Sequence, residues 1–184
     1  MNLTNTIAPK STQLNADDIL SGPRTIRITA VSAGATAEQP VNVSFDGDNN
    51  RPWIPSKGMR RVLVALYGPE SAAYLGKRVT LYNDTEVTFG PDKTGGIRVS
   101  HASGIDGAQT IALTVKKGKR KPFTIQPLPD YQSALETLKT AANEGTKALT
   151  AAFLALPKDI QDILRFDAGE LKQVAATADK PKNA

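Results

Sequence analysis

Residues 56–69 read SKGMRRVLVALYGP, and this stretch decides the fold because it predicts one helix inside a segment otherwise made of strand patterns. Ser56 can cap the helix, since a serine hydroxyl accepts hydrogen bonds from the free amides of a first turn. Gly68 followed by Pro69 is a typical helix end. The apolar residues recur at i, i+3, i+4, i+7 and i+8, namely Met59, Val62, Leu63, Leu66 and Tyr67. Such a stripe predicts a helix that packs one face on a sheet.

The other side of this helix is cationic and belongs to a basic segment. Lys57 and Arg61 lie opposite the apolar stripe, with Arg60 at the flank. Residues 23–127 carry 15 lysines and arginines against 8 acidic residues, whereas both flanking segments have a small negative excess. A basic excess confined to one domain is typical of proteins whose partners are polyanions.

Short alternating patterns surround the helix on both sides. Alternation of apolar and polar residues predicts half-buried strands, and the strands predicted here are 25–31, 41–45, 78–82, 96–100, 110–115 and 122–126. Five or six short strands interrupted by one helix predict a mainly β fold with helices, specifically a small OB-like β-barrel with an inserted helix. The alternative is an α+β sandwich in which the sheet packs against the helix.

Changes in composition predict four segments. Residues 1–22 are polar and predict a flexible N-terminal arm with one turn of helix at 16–20. Residues 23–127 form the basic barrel domain. Residues 128–178 are rich in alanine, leucine and charge and predict a helical C-terminal segment, in which Asp130 caps a helix, Gly145 breaks or bends it and Pro157 opens the next helix. Residues 179–184 predict a disordered tail.

Catalytic chemistry finds little support in the composition. The chain has one histidine and no cysteine, and its carboxylates show no metal-ligand spacing. On a regular strand Ser100 would point away from His101, and Ser103 would share the face of His101 only if the strand continues, so His101 is interpreted as a structural or surface histidine. We therefore expect a protein that is not an enzyme and takes no cofactor or metal. No apolar run reaches the ~20 residues that span a bilayer, and no signal peptide begins the chain, so a soluble intracellular protein without membrane partners is expected.

Basic residues interleaved with aromatic residues give the strongest functional pattern. Cations can follow phosphates while bases stack on aromatic rings, which is how single-stranded nucleic acids are held. The alternative is that the rings belong to the core and that the basic run at 116–121 is a solvated hairpin. The predicted nucleic-acid-binding residues are Arg51, Trp53, Lys57, Arg60, Arg61, Lys77, Arg78, Phe89, Lys93, Arg98, Lys116, Lys117, Lys119, Arg120, Lys121 and Phe123.

Three stretches, at residues 51–63, 76–82 and 95–101, together resemble a family of tailed-phage and prophage proteins associated with DNA replication and recombination functions. The resemblance covers roughly residues 23–127. It implies a phage DNA-metabolism context in the cytoplasm of a bacterial host cell, and it supplies no catalytic residues. Bacterial single-strand-binding proteins typically end in an acidic tip that recruits partners. Residues 179–184 are not acidic, which argues against recruitment by such a tip.

These observations predict a phage accessory protein that binds single-stranded DNA without strong sequence preference, in replication or recombination. The sequence leaves RNA open as the ligand instead of DNA. The C-terminal helices are predicted to serve self-association or docking to a phage or host replication protein. The alternative function is a protein–protein interaction module that inhibits a host nuclease or defence complex, with the basic face meeting an acidic protein surface.

Overall fold

The computed structural model describes residues 11–89, 92–116, 118–129, 131–165 and 167–180, without the side chains at 89, 92, 93, 115 and 116. The chain divides into two compact units, Met1–Leu128 and Pro129–Ala184. Of the helices in the described ranges, none is both long and apolar enough to cross a membrane.

A six-stranded sheet forms the first unit. Its strands are β1 (Arg24–Ala33), β2 (Val41–Phe45), β3 (Arg78–Asp84), β6 (Gly96–Ala102), β7 (Gln109–Lys116) and β8 (Lys119–Pro127), while β4 (Thr88–Phe89) and β5 (Asp92–Lys93) form a separate two-stranded hairpin. The order in the sheet is β2-β1-β3-β6-β8-β7. Only the β6–β8 pairing among these neighbours is parallel.

The sheet is open, since no pairing among the described residues joins its edge strands β2 and β7. The prediction of a mainly β domain with helices, including one inserted between strands, is confirmed. Strand β1 pairs with two neighbouring strands along different parts of its length. Its first half pairs with β3 and its second half with β2, with an irregularity between Ile28 and Ala30.

The inserted helix α1 spans Lys57–Tyr67, as its sequence predicts. The Ser56 hydroxyl accepts a hydrogen bond from the Met59 amide, and Gly68 ends the helix at a φ of 84°, a left-handed conformation that glycine adopts without strain. The predicted apolar stripe faces the core: Met59, Val62 and Leu63 are buried, and Leu66 and Tyr67 are partly buried. This packing fixes which face of α1 remains in solvent.

The segment preceding β1 is packed rather than free. Residues 16–19 form one turn of 3-10 helix, close to the predicted turn. Leu14 and Ile19 are buried in the core of the sheet domain, and the Leu14 amide donates to the Pro52 carbonyl at 3.0 Å. The prediction of a flexible arm is therefore wrong for residues 11–22, because two apolar side chains anchor them. Residues 1–10 lie outside the described ranges.

Four short helices form the second unit: α2 (Gln132–Asn143), α3 (Thr146–Leu154), α4 (Lys158–Leu164) and α5 (Ala168–Ala178). Gly145, with a φ of 111°, separates α2 from α3, so the predicted break is confirmed. Pro157 immediately precedes α4 and is not its first residue. The buried apolar side chains of this unit, among the described residues, are Leu138, Ala141, Ala142, Leu149, Ile160, Ile163, Leu164, Leu171 and Ala175. The predicted cap Asp130 lies outside the described residues.

Asp179 connects the end of α5 to the start of α3. Its backbone amide donates to the Ala175 carbonyl and ends α5, while its carboxylate accepts from the Thr146 amide at 3.1 and 3.2 Å. The carboxylate thus caps the start of α3 in place of a local capping side chain. The prediction of disorder is therefore wrong for residue 179, and residues 181–184 lie outside the described ranges.

Candidate nucleic-acid interface

The solvent face of α1 is a second stripe with the same spacing as the buried one. It comprises Lys57, Arg60, Arg61, Val64 and Ala65, which together line a shallow depression. Lys57 and Arg61 are exposed, and Arg60 is half-buried with its guanidinium donating to the Pro55 carbonyl at 3.0 Å. The N-terminal half of this stripe is cationic and its C-terminal half is apolar.

The charge at the start of α1 opposes helix stability. No acidic residue lies in the first turn, where Lys57 and Arg60 stand instead. A cation near a helix N-terminus meets the positive end of the macrodipole, an interaction of about 0.3–1 kcal/mol. Departures from local rules are expected at functional sites. An anion bound at this end of α1 would offset both the dipole and the cations.

The β7–β8 hairpin continues the cationic face of α1. The Arg61 guanidinium donates to the Thr114 hydroxyl at 3.4 Å, and Thr114 lies directly opposite Arg120 in the β7–β8 ladder. Arg61 and Arg120 therefore belong to one surface, which we call the α1–hairpin surface: Lys57, Arg60, Arg61, Thr114 and Arg120. All except Arg60 are exposed.

The other predicted cations of the hairpin divide into two groups. Lys119 and Lys121 are exposed, and strand alternation places them on the face opposite Arg120. The side chain of Lys116 and all of Lys117 lie outside the described residues. The hairpin therefore presents cations on both of its faces.

Arg98 and Phe123, which were predicted from separate stretches of the sequence, are in contact. The Arg98 guanidinium lies 5.4 Å from the centroid of the Phe123 ring and forms an ion pair with Asp84 at 2.8 Å. Phe123 is partly buried and packs against the core. Asp84 balances the charge of Arg98, and the Arg98 guanidinium covers the Phe123 ring. Arg98 is therefore less available to a phosphate, and Phe123 less available to a stacked base, than the sequence pattern indicates.

Trp53 and Arg78 are structural residues. The Trp53 side chain is 1% exposed, and its backbone exchanges hydrogen bonds of 2.8 and 2.9 Å with Val43. Arg78 is 2% exposed, and its backbone amide donates to the Ser103 hydroxyl at 2.8 Å. A buried ring cannot stack with a base and a buried guanidinium cannot reach a phosphate. The prediction that these two residues bind nucleic acid is wrong.

Arg51 is also engaged within the domain. Its guanidinium forms an ion pair with Asp18 at 2.7 Å and donates to the carbonyls of Ser11 and Gln13 at 2.8 and 2.9 Å. It therefore holds the segment before β1 in place, and these contacts leave its guanidinium less available to a phosphate than the sequence pattern predicts. No local pattern pairs residues 18 and 51, which lie 33 positions apart.

Lys77, Phe89 and Lys93 complete the predicted set. Lys77 is half-buried, with its ammonium 5.6 Å from the centroid of the Tyr67 ring. Phe89 and Lys93 contribute backbone to the β4–β5 hairpin, and their side chains lie outside the description. None of the three is therefore placed on the α1–hairpin surface by the described contacts.

The ion pair of Arg51 gives a pH prediction. Burial raises the pKa of Asp18, but hydrogen bonds from Arg51 and the Asn15 amide, with the charges of Arg51 and Arg24, outweigh it and hold this pKa below 3.8. The stability that Asp18 contributes should be full above pH 3.8 and lost as the pH falls through the lower folded value. The thermal stabilities of wild type and Asp18→Asn, measured from neutral pH down to about pH 2, should differ at neutral pH and converge toward the acid end of this range. A difference that persists unchanged in acid would contradict this ion-pair role.

His101 and Ser100 approach more closely than a regular strand predicts. The Ser100 hydroxyl lies 3.0 Å from His101 Nδ1, because a β-bulge opposite Thr80 and Leu81 inserts Ser100 into β6. The same hydroxyl donates to the Thr80 carbonyl at 3.4 Å. Within the described ranges, no group of three or more histidine and carboxylate side chains could hold a metal.

Comparison of the chain with family models, with curated proteins and with solved structures found no match. The functional argument therefore depends on the geometry of the α1–hairpin surface.

Proposed function

We propose that the first unit binds single-stranded DNA without strong sequence preference, in the replication or recombination of a phage. The observation that carries this proposal is the α1–hairpin surface, on which Arg61 and Arg120 adjoin through Thr114. Exposed cations on two elements can follow a phosphate backbone, and contacts to phosphates carry no sequence information.

The strand order supports an OB-like fold for this unit. Strands β1, β3, β6, β8 and β7 follow the order of the five strands of an OB barrel, including the parallel pairing of its third and fifth strands. In a closed barrel the second half of the first strand would pair with β7, but here it pairs with β2. We propose an OB-like barrel opened at this position, a fold that commonly binds oligonucleotides.

Electrostatic contacts are expected to supply most of the affinity on this surface. The burial of Trp53 and the covering of Phe123 by Arg98 remove two of the rings that stacking would use. Phosphate contacts then supply most of the affinity, so binding should depend strongly on salt and weakly on base identity. Such a surface is suited to a protein that covers single strands wherever they arise in the bacterial cytoplasm.

The second unit is proposed to mediate self-association or docking to a phage or host replication protein. Leu154 is 69% exposed and Val174 is 44% exposed on its helices. Large apolar side chains left in solvent are candidates for contact with another protein. Sedimentation of the full chain with and without an oligonucleotide would measure the self-association.

Salt dependence tests the proposed function directly. If the domain neutralises about four to six phosphates, log K should fall against log salt with a slope of roughly −3 to −4 for single strands. Fluorescence anisotropy with labelled oligonucleotides of increasing length, at several salt concentrations, measures this slope. A parallel titration with RNA of the same length compares the affinity for ribose and deoxyribose strands.

Two outcomes of this titration would contradict the proposal. They are a flat salt response and the absence of binding to a long oligonucleotide at low salt. Either result would favour the protein–protein module that inhibits a host nuclease or defence complex, since the same cations would then serve an acidic protein surface.

A further inference from the structure

We infer that Val64 is the point at which an unpaired base docks, and that this contact gives the α1–hairpin surface its preference for single strands. The inference rests on the proposed function and deepens it, because charge alone attracts duplex and single strand alike. Val64 is 47% exposed, although its neighbours Val62 and Leu63 on the same helix are buried.

The position of Val64 relative to the cations supports this assignment. Val64 follows Arg60 by four residues and Arg61 by three, and side chains at these spacings are neighbours, with Cβ atoms about 5–6 Å apart. All three line the same depression as Lys57 and Ala65. A phosphate held by Arg60 or Arg61 would place its own sugar and base over the apolar end of the stripe.

A nucleotide fits this patch better than an acidic peptide does. Peptides that dock as helices use several apolar anchors spaced along a groove. The depression on α1 offers a small floor of Val64 and Ala65, bordered by the cations of the first two turns. One flat base and one or two phosphates match this combination. In a duplex the base faces are stacked inside the helix, so only the phosphate contacts would remain.

The test compares Val64→Ser with a matched control in the full-length protein. Leu75 is 52% exposed and lies outside the depression, so Leu75→Ser removes a comparable apolar surface elsewhere. Anisotropy titrations use three probes of equal length: oligo-dT, a DNA duplex and an abasic strand that has phosphates without bases. Val64→Ser should weaken oligo-dT binding roughly three- to tenfold, in line with loss of part of a buried valine contact. It should leave duplex and abasic binding unchanged, and Leu75→Ser should change none of the three.

The remaining outcomes separate this inference from the proposed function. If Val64→Ser weakens all three probes equally, or none, the base-docking role is wrong while charge-led binding stands. If the wild type binds no probe, the proposed function fails and the inference fails with it. A peptide of alternating glutamate and leucine is a competitor probe. If it binds wild type but not Val64→Ser, while Val64→Ser leaves oligo-dT binding intact, the patch serves an acidic protein partner and the inference is overturned. Circular dichroism of both variants confirms that they are folded.

Discussion

Replacing Trp53 by alanine is expected to lower the free energy of unfolding of the first unit by about 3–5 kcal/mol, the cost typical of truncating a large buried aromatic side chain. Trp53 is among the largest fully buried side chains of the domain. The cavity would open beside β2, where the backbone of Trp53 pairs with Val43. Hydrogen exchange of the Val43 amide in the full-length protein reports this loss without interference from the helical unit.

Trp53→Phe keeps an aromatic ring in the core and serves as the matched control, with a smaller expected loss of stability. In the wild type, emission from the single tryptophan of the chain should be blue-shifted and unchanged by oligonucleotide. A Trp53→Ala protein of normal stability that loses about 1–3 kcal/mol of binding would identify Trp53 as a stacking platform after all.

Changing Lys57, Arg61 and Arg120 together to glutamine should produce the largest loss of binding. The three side chains are exposed, and glutamine keeps good helix propensity for the two positions on α1. If each cation contacts one phosphate, the salt slope should flatten by roughly 2, and affinity at low salt should fall by about one to two orders of magnitude. Stability should change little, since exposed charges contribute little to folding.

The control for this triple variant changes the same net charge in the second unit. Lys139, Lys147 and Lys172 are exposed on α2, α3 and α5, and their replacement by glutamine should leave affinity and slope nearly unchanged. Equal losses in the two triple variants would mean that binding responds to the overall charge of the protein and not to the α1–hairpin surface.

Local signals were sufficient to predict α1. All of its signals lie within 14 consecutive residues: the cap at Ser56, the end at Gly68 and the apolar stripe. Each of them is found in the structure. The strand at Val41–Phe45 was predicted with its observed bounds, since apolar and polar residues alternate along it. The exposed cations of α1 followed from the same periodicity, because the position of one helical face determines the other.

Contacts between distant residues could not be predicted in the same way. Trp53 stands between Arg51 and Lys57, a pattern that favours stacking, but its burial depends on the packing of β2 and the segment before β1. Arg51 is neutralised by Asp18, which no spacing rule connects to it. The open edge of the sheet depends on the choice of β2 as the partner of β1. These are tertiary choices that outweigh local propensity.

The capping of α3 by Asp179 also constrains the order in which the helical unit can mature. The Thr146 amide donates to a carboxylate that is synthesised 33 residues later, so this hydrogen bond cannot form before then. While α2, α3 and α4 emerge from the ribosome, the start of α3 has no side-chain cap of its own, since Gly145 offers none. The final hydrogen bonds of this unit therefore form only after α5 has been made, so a nascent chain stopped before residue 179 would carry an incomplete helical unit.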